Sequence, residues 1–139
     1  MKDNDDEIRN QTMSLMLAYQ TLLTEHRMDE WIELWADDGI CEFPYAGPGQ
    51  PSRLCGKVEI KNYMSATPGK LTVNGVEDLQ LHLTVNPRVV VVEMTINGTA
   101  TQTGRPYNQR YVVVAETKDG KLAHYREYWN PLISAEAFA

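Results

Sequence analysis

The chain has 139 residues, of which 42% are hydrophobic and 23% are charged, and its net charge is −6 at neutral pH. That length fits one domain with a single core, and the acidic balance argues against a surface that binds nucleic-acid phosphates. No apolar run approaches the roughly 20 residues of a membrane span, and the acidic N-terminus lacks a signal-peptide pattern, so we expect a cytoplasmic protein with no membrane partner.

The cysteines and histidines show no pattern that predicts a metal site. Cys41 and Cys55 are too few for a disulfide framework, so we expect both to be reduced structural residues. His26, His82 and His124 fall on separate elements and lack metal-ligand spacing. Phosphate-loop, dinucleotide and serine-nucleophile motifs are absent from the sequence, which leads us to expect no cofactor.

The first half of the chain is predicted to be mostly helical. Apolar residues recur at helical spacing over residues 5–27, which predicts an amphipathic helix. A second, short helix is predicted over residues 29–36 and is expected to stop at Gly39. A strand over residues 40–43, a loop over residues 46–52 and a third helix over residues 57–65 follow.

From Lys70 onwards the pattern changes to strands. We predict them near residues 71–85, 88–101, 107–116 and 122–129, with turn-forming residues at each break. The last break contains Asp119-Gly120, a strong hairpin signal because glycine accepts the positive φ of such turns. Helices followed by a meander predict an α+β fold with helices packed on one face of an antiparallel sheet. The tail after Pro131 has no assignment, and it could cap either a pocket or a partner subunit.

Two predicted strands are apolar on both faces. Residues 89–92 and 112–114 are all valine, whereas an antiparallel sheet with one wet face should alternate. The helices can cover one face of the sheet, and the other face needs a partner. We therefore expect a homodimer through the outer face of the sheet. A sheet covered by its own chain is the alternative, but three short helices are few for that task.

Two carboxylates on predicted strands are candidates for chemistry. Glu127 shares a strand face with Tyr125 and Trp129, and burying it is costly unless it is paired or used. Glu93 interrupts the valine run of its own strand. Periodicity alone does not decide which face points inward, and either acid could instead pair with a surface arginine.

The order of these motifs resembles a known family. Four segments carry the resemblance. They are the first helix, the stretch MDEWIELWADDGICEFP at residues 28–44, a Gly-Lys start of the third helix, and a four-strand meander that ends in REYWNP at residues 126–131. Together they are similar to the nuclear transport factor 2-like superfamily, and within it to SnoaL-like and ketosteroid-isomerase-like proteins. The resemblance implies one domain over residues 1–139. It also implies a cone-shaped α+β barrel, usually dimeric, whose N-terminal helices pack on a curved antiparallel or mixed sheet around a deep apolar pocket.

The resemblance to limonene-epoxide-type hydrolases implies that two acids face inward. Their positions match Glu93 and Glu127, where they hold and activate water with the help of an arginine two residues before the first acid. Val91 stands at that arginine position, so the hydrolase set is incomplete unless Arg110 reaches in from the neighbouring strand. Two carboxylates in one apolar cavity would split their pKa values, leaving one base and one acid.

The resemblance to ketosteroid isomerases is weaker at the position of their catalytic general base. Their base position is occupied by Phe43, and the adjacent Glu42 would face the other side of its strand. Tyr19 matches the tyrosine that donates to the oxyanion, although a tyrosine on the apolar stripe of a helix also suits a core. Asn108 is the nearest counterpart of the second oxyanion-binding group.

Several side chains are candidate ligand contacts. Trp35, Tyr45, Asn108, Tyr111 and Trp129 could line a pocket, because aromatic rings suit flat apolar ligands. Core packing is the alternative for the tryptophans.

We therefore expect a cofactor-independent acid–base enzyme acting on a small hydrophobic metabolite, as an isomerase, cyclase, dehydratase or epoxide-type hydrolase. Its expected catalytic residues are Glu93, Glu127, Tyr19 and Arg110. Arg110 would anchor a ligand anion, unless it lies on the surface beside an acid. The alternatives are a non-catalytic module that binds a small molecule and a dimeric interaction protein of the same fold.

Overall fold

The computed structural model describes residues 2–139 and contains four helices and six strands in that range. The N-terminal part comprises α1 (Lys2–Thr24), α2 (Met28–Ile32), β1 (Trp35–Glu42), β2 (Arg53–Cys55) and α3 (Gly56–Ser65). A 3₁₀ turn at Thr67–Gly69 leads into the meander β3 (Leu71–Leu83), β4 (Val89–Ala100), β5 (Pro106–Lys118) and β6 (Lys121–Tyr128), and α4 (Pro131–Phe138) follows.

All six strands form one mixed sheet in the order β2-β1-β6-β5-β4-β3. The pair β1–β6 is parallel and the other neighbours are antiparallel. The predicted α+β class is confirmed, as is the expectation of a mixed sheet. The sheet does not close into a barrel, however, because β2 and β3 are its two edges.

The predicted first and third helices, all four strands of the meander and the Asp119-Gly120 turn are present. Asp119 and Gly120 have φ values of 52° and 76°, as a tight two-residue hairpin requires. These elements have long, consistent apolar periods, and their breaks hold residues with strong turn preferences. Local sequence signals and tertiary packing agree in this part of the chain.

The predicted second helix is wrong at its C-terminal end. The helix stops at Ile32, and Trp35 already belongs to β1, where it is paired with Leu122 of β6. Gly39 lies inside this strand instead of ending a helix. A Cβ atom at Gly39 would come within 2.8 Å of Cε3 of Trp35, so the glycine leaves room for the indole.

Two short elements were not predicted. The strand β2 has only three residues and pairs with β1. The helix α4 starts with Pro131 in its first turn, and the side chain of Asn130 caps it by accepting a hydrogen bond from the N–H of Leu132 at 3.0 Å.

The two faces of the sheet have different surroundings. On the face called here the inner face, Val92 and Met94 of β4 lie beside Val113 and Tyr111 of β5, and all four are buried. The helices cover this face, since Tyr19 of α1 and Ile60 of α3 belong to the same buried core. The opposite, outer face carries the alternate residues of each strand. Along β4 and β5, period-two alternation therefore assigns each residue to one of two environments.

Candidate functional site

Glu127 lies on the inner face of the sheet. It sits directly opposite Val113, and the alternate residues Tyr125 and Trp129 share its face, as predicted. The hydroxyl of Tyr125 donates a hydrogen bond of 3.0 Å to Oε1 of Glu127. Oε2 accepts no hydrogen bond from any residue that the structure describes. One carboxylate oxygen is thus anchored while the other is available.

Burial raises the pKa of Glu127 to about 7, and the hydrogen bond from Tyr125 opposes this rise. The residue as a whole keeps some accessible surface, whereas its carboxyl group is enclosed by protein atoms. A carboxyl group with this pKa can both accept and return a proton near neutral pH.

Tyrosines surround this carboxyl group. Tyr19 of α1 stacks on Tyr125, with ring centroids 5.1 Å apart and an interplanar angle of 25°. Burial, followed by nearby charges that include Glu127, raises the pKa of Tyr19, Tyr63, Tyr111 and Tyr125. These phenols therefore stay protonated and can act as hydrogen-bond donors.

Aromatic rings form a wall beside Glu127. The ring of Trp129 lies 5.3 Å from that of Phe43 and 6.3 Å from that of Tyr111, measured between centroids. Trp129 is half-buried, and Tyr111 keeps 8% of its surface exposed. Farther along β5, the hydroxyls of Tyr107 and Tyr111 are 2.7 Å apart and hydrogen-bonded.

Trp35, a predicted ligand contact, is buried in the core and does not line a surface that a ligand could reach. Its indole is 1% exposed and packs against Tyr19, Trp31 and Tyr125. Its position favours the alternative of core packing.

Glu93 lies on the outer face, so the expectation that both acids point into one pocket is wrong. Glu93 is paired with Val112, the neighbour of the residue opposite Glu127, and consecutive strand residues point to opposite faces. His82 and Arg110 contact its carboxylate at 2.7 and 3.3 Å. The hydrogen bonds from His82 and then Arg110 lower the pKa of Glu93. Arg110 is consequently a surface partner of Glu93, on the face of the sheet opposite Glu127.

Two further candidate contacts lie away from Glu127. Asn108 is exposed on the outer face, where it is paired with Asn97. Tyr45 is 54% exposed in the loop after β1, with its ring 5.8 Å from that of the outward-facing Tyr128. Asn108 and Tyr45 are therefore not among the side chains grouped around Glu127, and their ligand contacts stay predictions.

Three residues near Glu127 were missed as site residues. Tyr125 could have been found, since it lies two residues before Glu127 on the same strand face. Cys41 lies next to Tyr125 because β1 pairs in parallel with β6. Tyr63 lies on α3, and its ring is 5.2 Å from that of Phe43. Burial and then the charge of Glu127 raise the pKa of the Cys41 thiol, so it stays neutral, and both cysteines are free.

Within residues 2–139, no cluster of three potential metal ligands occurs and no helix is long and apolar enough to cross a membrane.

Comparison with known proteins agrees with this architecture. Residues 16–125 match the profile of the SnoaL-like domain, which covers most of the chain. The chain belongs to the SnoaL-like family. Among curated relatives of this SnoaL-like protein, the uncharacterized YesE of Bacillus subtilis is 36% identical over 135 residues, covering 97% of this chain and 90% of the relative. An uncharacterized PhzA/B-like protein of Pseudomonas aeruginosa is 38% identical over 107 residues, covering 77% of this chain and 75% of the relative.

Solved structures of the same fold include candidate enzymes. A candidate isomerase from Bacillus subtilis superposes with a TM-score of 0.87 at 33% identity, and the match covers 93% of each chain. A candidate polyketide cyclase from Xanthomonas campestris superposes with a TM-score of 0.82 and covers 95% of this chain and 99% of its own. Its identity of 15% shows the shared fold alone. The SnoaL-like fold thus carries isomerase-type and cyclase-type assignments among its neighbours.

Proposed function

We propose that the protein is a cofactor-independent acid–base enzyme that transfers a proton on a small, largely apolar metabolite, with Glu127 as the proton-transfer group. The observation that carries this proposal is the enclosed Glu127 carboxyl group, whose pKa is raised to about 7 among aromatic residues. A base is most effective when its pKa is near the working pH, because it is then ionised and still basic enough to take a proton. Isomerisation or aldol-type cyclisation of an enolisable carbonyl compound is the reaction class this arrangement supports best.

The tyrosines around Glu127 support the same class. Removal of a proton next to a carbonyl group places negative charge on the carbonyl oxygen, and a nearby phenol stabilises that charge by donating a hydrogen bond. Tyr19 stacks directly on Tyr125, the partner of Glu127. The neighbours named candidate isomerase and candidate polyketide cyclase are compatible with this class, since carbonyl isomerisation and aldol-type cyclisation both pass through an enolate or enol.

Water activation by two carboxylates has less support. Glu93 faces the outer side of the sheet and is held there by His82 and Arg110. A base on β1 is also unsupported, since Phe43 occupies the expected position and Glu42 binds His124 at 2.6 Å on the outer face. Glu127 is left to accept the proton and to return it.

The test is proton exchange, which requires no knowledge of the product. A panel of enolisable ketones is incubated with the protein in deuterated buffer, and loss of the α-proton signal is followed by NMR. For a ketone that responds, we expect Glu127→Gln to slow exchange by about 10²–10⁴-fold, the usual scale for a positioned base. The wild-type rate should rise with pH around 7, where the carboxyl group loses its proton.

Binding without exchange would point to the second candidate, a module that captures an apolar ligand. The phenylalanine at the position of the isomerase base favours that reading, because it removes one expected catalytic group. A ketone that binds, perturbs the tryptophan fluorescence and yet shows no exchange above the Glu127→Gln level would contradict the enzyme proposal.

We also propose that the outer face of the sheet binds a second copy of the chain. Val91, Val112 and Val114 lie on this face, and each is only partly covered in one chain. The carboxylates of Glu93 and Glu42 are matched there by cationic or histidine partners, so two copies of the face would not meet as unpaired charges of one sign. Self-complementary patches of this kind suit a two-fold dimer.

A further inference from the structure

The hydroxyl of Tyr125 holds the carboxyl group of Glu127. It donates a hydrogen bond of 3.0 Å to Oε1 of Glu127, and the two residues lie two positions apart on one face of β6. Among residues 2–139, the side chain of Glu127 has no other hydrogen-bond partner, and no lysine, arginine or histidine forms an ion pair with it. This one hydroxyl is therefore the polar contact that can orient the acid.

The ring of Tyr125 is itself held in place. The side chain is 1% exposed, and β6 is paired at this residue with β1 on one side and β5 on the other. The ring stacks on that of Tyr19 at 5.1 Å and meets that of Trp35 at 5.8 Å, measured between centroids. Close-packed neighbours of this kind restrict the ring, so the direction of its O–H bond is set by the core and not by the acid.

The other titratable side chains near Glu127 are neutral. Burial raises the pKa of each one, and the charge of Glu127 adds to the rise. They are Tyr125 of β6, Tyr111 of β5, Cys41 of β1, Tyr19 of α1 and Tyr63 of α3. Tyr125 consequently remains a hydrogen-bond donor whether Glu127 is charged or protonated, and no second group near it changes charge in the neutral range.

We propose that Tyr125 is a positioning residue that keeps Oε1 of Glu127 as a fixed acceptor and leaves Oε2 as the oxygen that takes up and releases the proton. This inference rests on the proposed function and adds the residue that orients its proton-transfer group. The incoming proton bonds to a lone pair of Oε2, while the phenol keeps its own proton. Since the carbonyl oxygen of a protonated carboxyl group still accepts hydrogen bonds, the contact persists in both states and the acid need not rearrange when the proton moves.

The first test is the titration of Glu127 in Tyr125→Phe. It is followed by NMR of protein labelled with ¹³C at the glutamate Cδ, where the signal of Glu127 is the one missing from Glu127→Gln. In wild type we expect a pKa of about 7. Because the hydrogen bond favours the charged carboxylate, its loss should raise the pKa of Glu127 by about one to two pH units.

The second test separates orientation from basicity by deuterium exchange of a ketone that responds to the wild type. A stronger base in unchanged geometry would exchange the α-proton faster once it is fully ionised. We expect the opposite for Tyr125→Phe, a rate about tenfold lower above its own pH midpoint, because an unheld carboxylate spends less time in the productive orientation.

Tyr128→Phe is the matched control. It loses the same hydroxyl from β6, but Tyr128 lies on the outer face, opposite Val112, so Glu127 should titrate in this variant as in wild type. Near-ultraviolet circular dichroism checks that each variant is folded. If Tyr125→Phe does not fold, wild type labelled with ¹³C at the tyrosine Cζ decides the question, since the Tyr125 signal should move with the midpoint of Glu127.

Three results would overturn the inference: an unchanged titration of Glu127 in folded Tyr125→Phe, a Tyr125 signal that stays constant while Glu127 ionises, or faster exchange in Tyr125→Phe above its midpoint. Failure of the proposed function looks different. Wild type would then exchange no ketone faster than Glu127→Gln does, and the two titrations alone would judge the role of Tyr125.

Discussion

Two glutamates of this protein show how the face of a strand sets the chemistry of a side chain. The carboxyl group of Glu127 is enclosed on the inner face, and burial raises its pKa to about 7. Glu93 lies on the outer face, where hydrogen bonds from His82 and Arg110 lower its pKa. Glu127 is consequently suited to proton transfer near neutral pH, whereas Glu93 remains an ionised partner in a surface cluster.

The raised pKa of Glu127 predicts how stability depends on pH. Because the folded protein favours the protonated acid, its stabilising contribution is present at low pH and is lost as the pH rises from the ordinary value of 4.5 to about 7. Between pH 5 and pH 8, we expect wild type to lose about 2–3 kcal/mol of unfolding free energy relative to Glu127→Gln. Urea unfolding of both proteins at several pH values measures this difference. A difference that does not change with pH would mean that the carboxyl group is not enclosed.

The strand β1 is the element whose structure depends most on its tertiary contacts. Its first residue, Trp35, inserts a fully buried indole into the cluster of Tyr19, Trp31 and Tyr125. The N–H of Leu122 donates a hydrogen bond of 2.8 Å to the carbonyl of Leu34, which fixes the chain against β6 just before the strand. The same strand then brings Phe43 to the aromatic wall beside Glu127.

Gly39 provides a test of this packing. A methyl group there would lie 2.8 Å from Cε3 of Trp35 and 3.1 Å from the carbonyl oxygen of Ala36. Since the indole is enclosed and has little room to move, we expect Gly39→Ala to lower the unfolding free energy by about 1–3 kcal/mol. Gly47→Ala is the control, because nothing lies within 4 Å of the added methyl group, and it should change stability by less than about 0.5 kcal/mol. Equal stabilities of the two variants in urea unfolding would show that Trp35 does not pack on Gly39.

A buried glutamine on β5 anchors the start of the helix α4. Gln109 is fully buried; its Nε2 donates to the carbonyl of Asn130 and its Oε1 accepts from the N–H of the same residue, both at 2.9 Å. At the far end of the helix, Phe138 packs on Tyr107 at 5.5 Å between ring centroids. The tail thus covers the inner face of its own chain next to the Tyr107–Tyr111 pair.

For the whole molecule, the proposed dimer makes a prediction about the outer face. Val112 lies at the centre of this face, opposite Tyr128 and Glu93 on its two neighbouring strands. A lysine there would place an unpaired charge in an apolar contact, so we expect Val112→Lys to convert the dimer to a monomer. Light scattering coupled to size-exclusion chromatography measures the mass. Val58→Lys is the control, since Val58 is 75% exposed on α3 and should leave the mass unchanged. A wild-type protein that is monomeric at every concentration tested would contradict the proposal.

Sequence periodicity is sufficient to predict the elements with long, regular periods and the residues that share a face with Glu127. Period-two alternation was enough to group Glu127 with Tyr125 and Trp129, because a strand cannot place them on different faces. It could not say which face points inward, since inner and outer residues alternate in the same way; the helices that cover one face decided this, and they separated Glu93 from Glu127. The tertiary structure alone placed Cys41 and Phe43 near Glu127, because the parallel pairing of β1 with β6 joins residues about 80 positions apart and leaves no local signal. It also turned Trp35 and Gly39 from a predicted helix end into a strand, because burial of the indole and hydrogen bonding to β6 outweigh local helical preference.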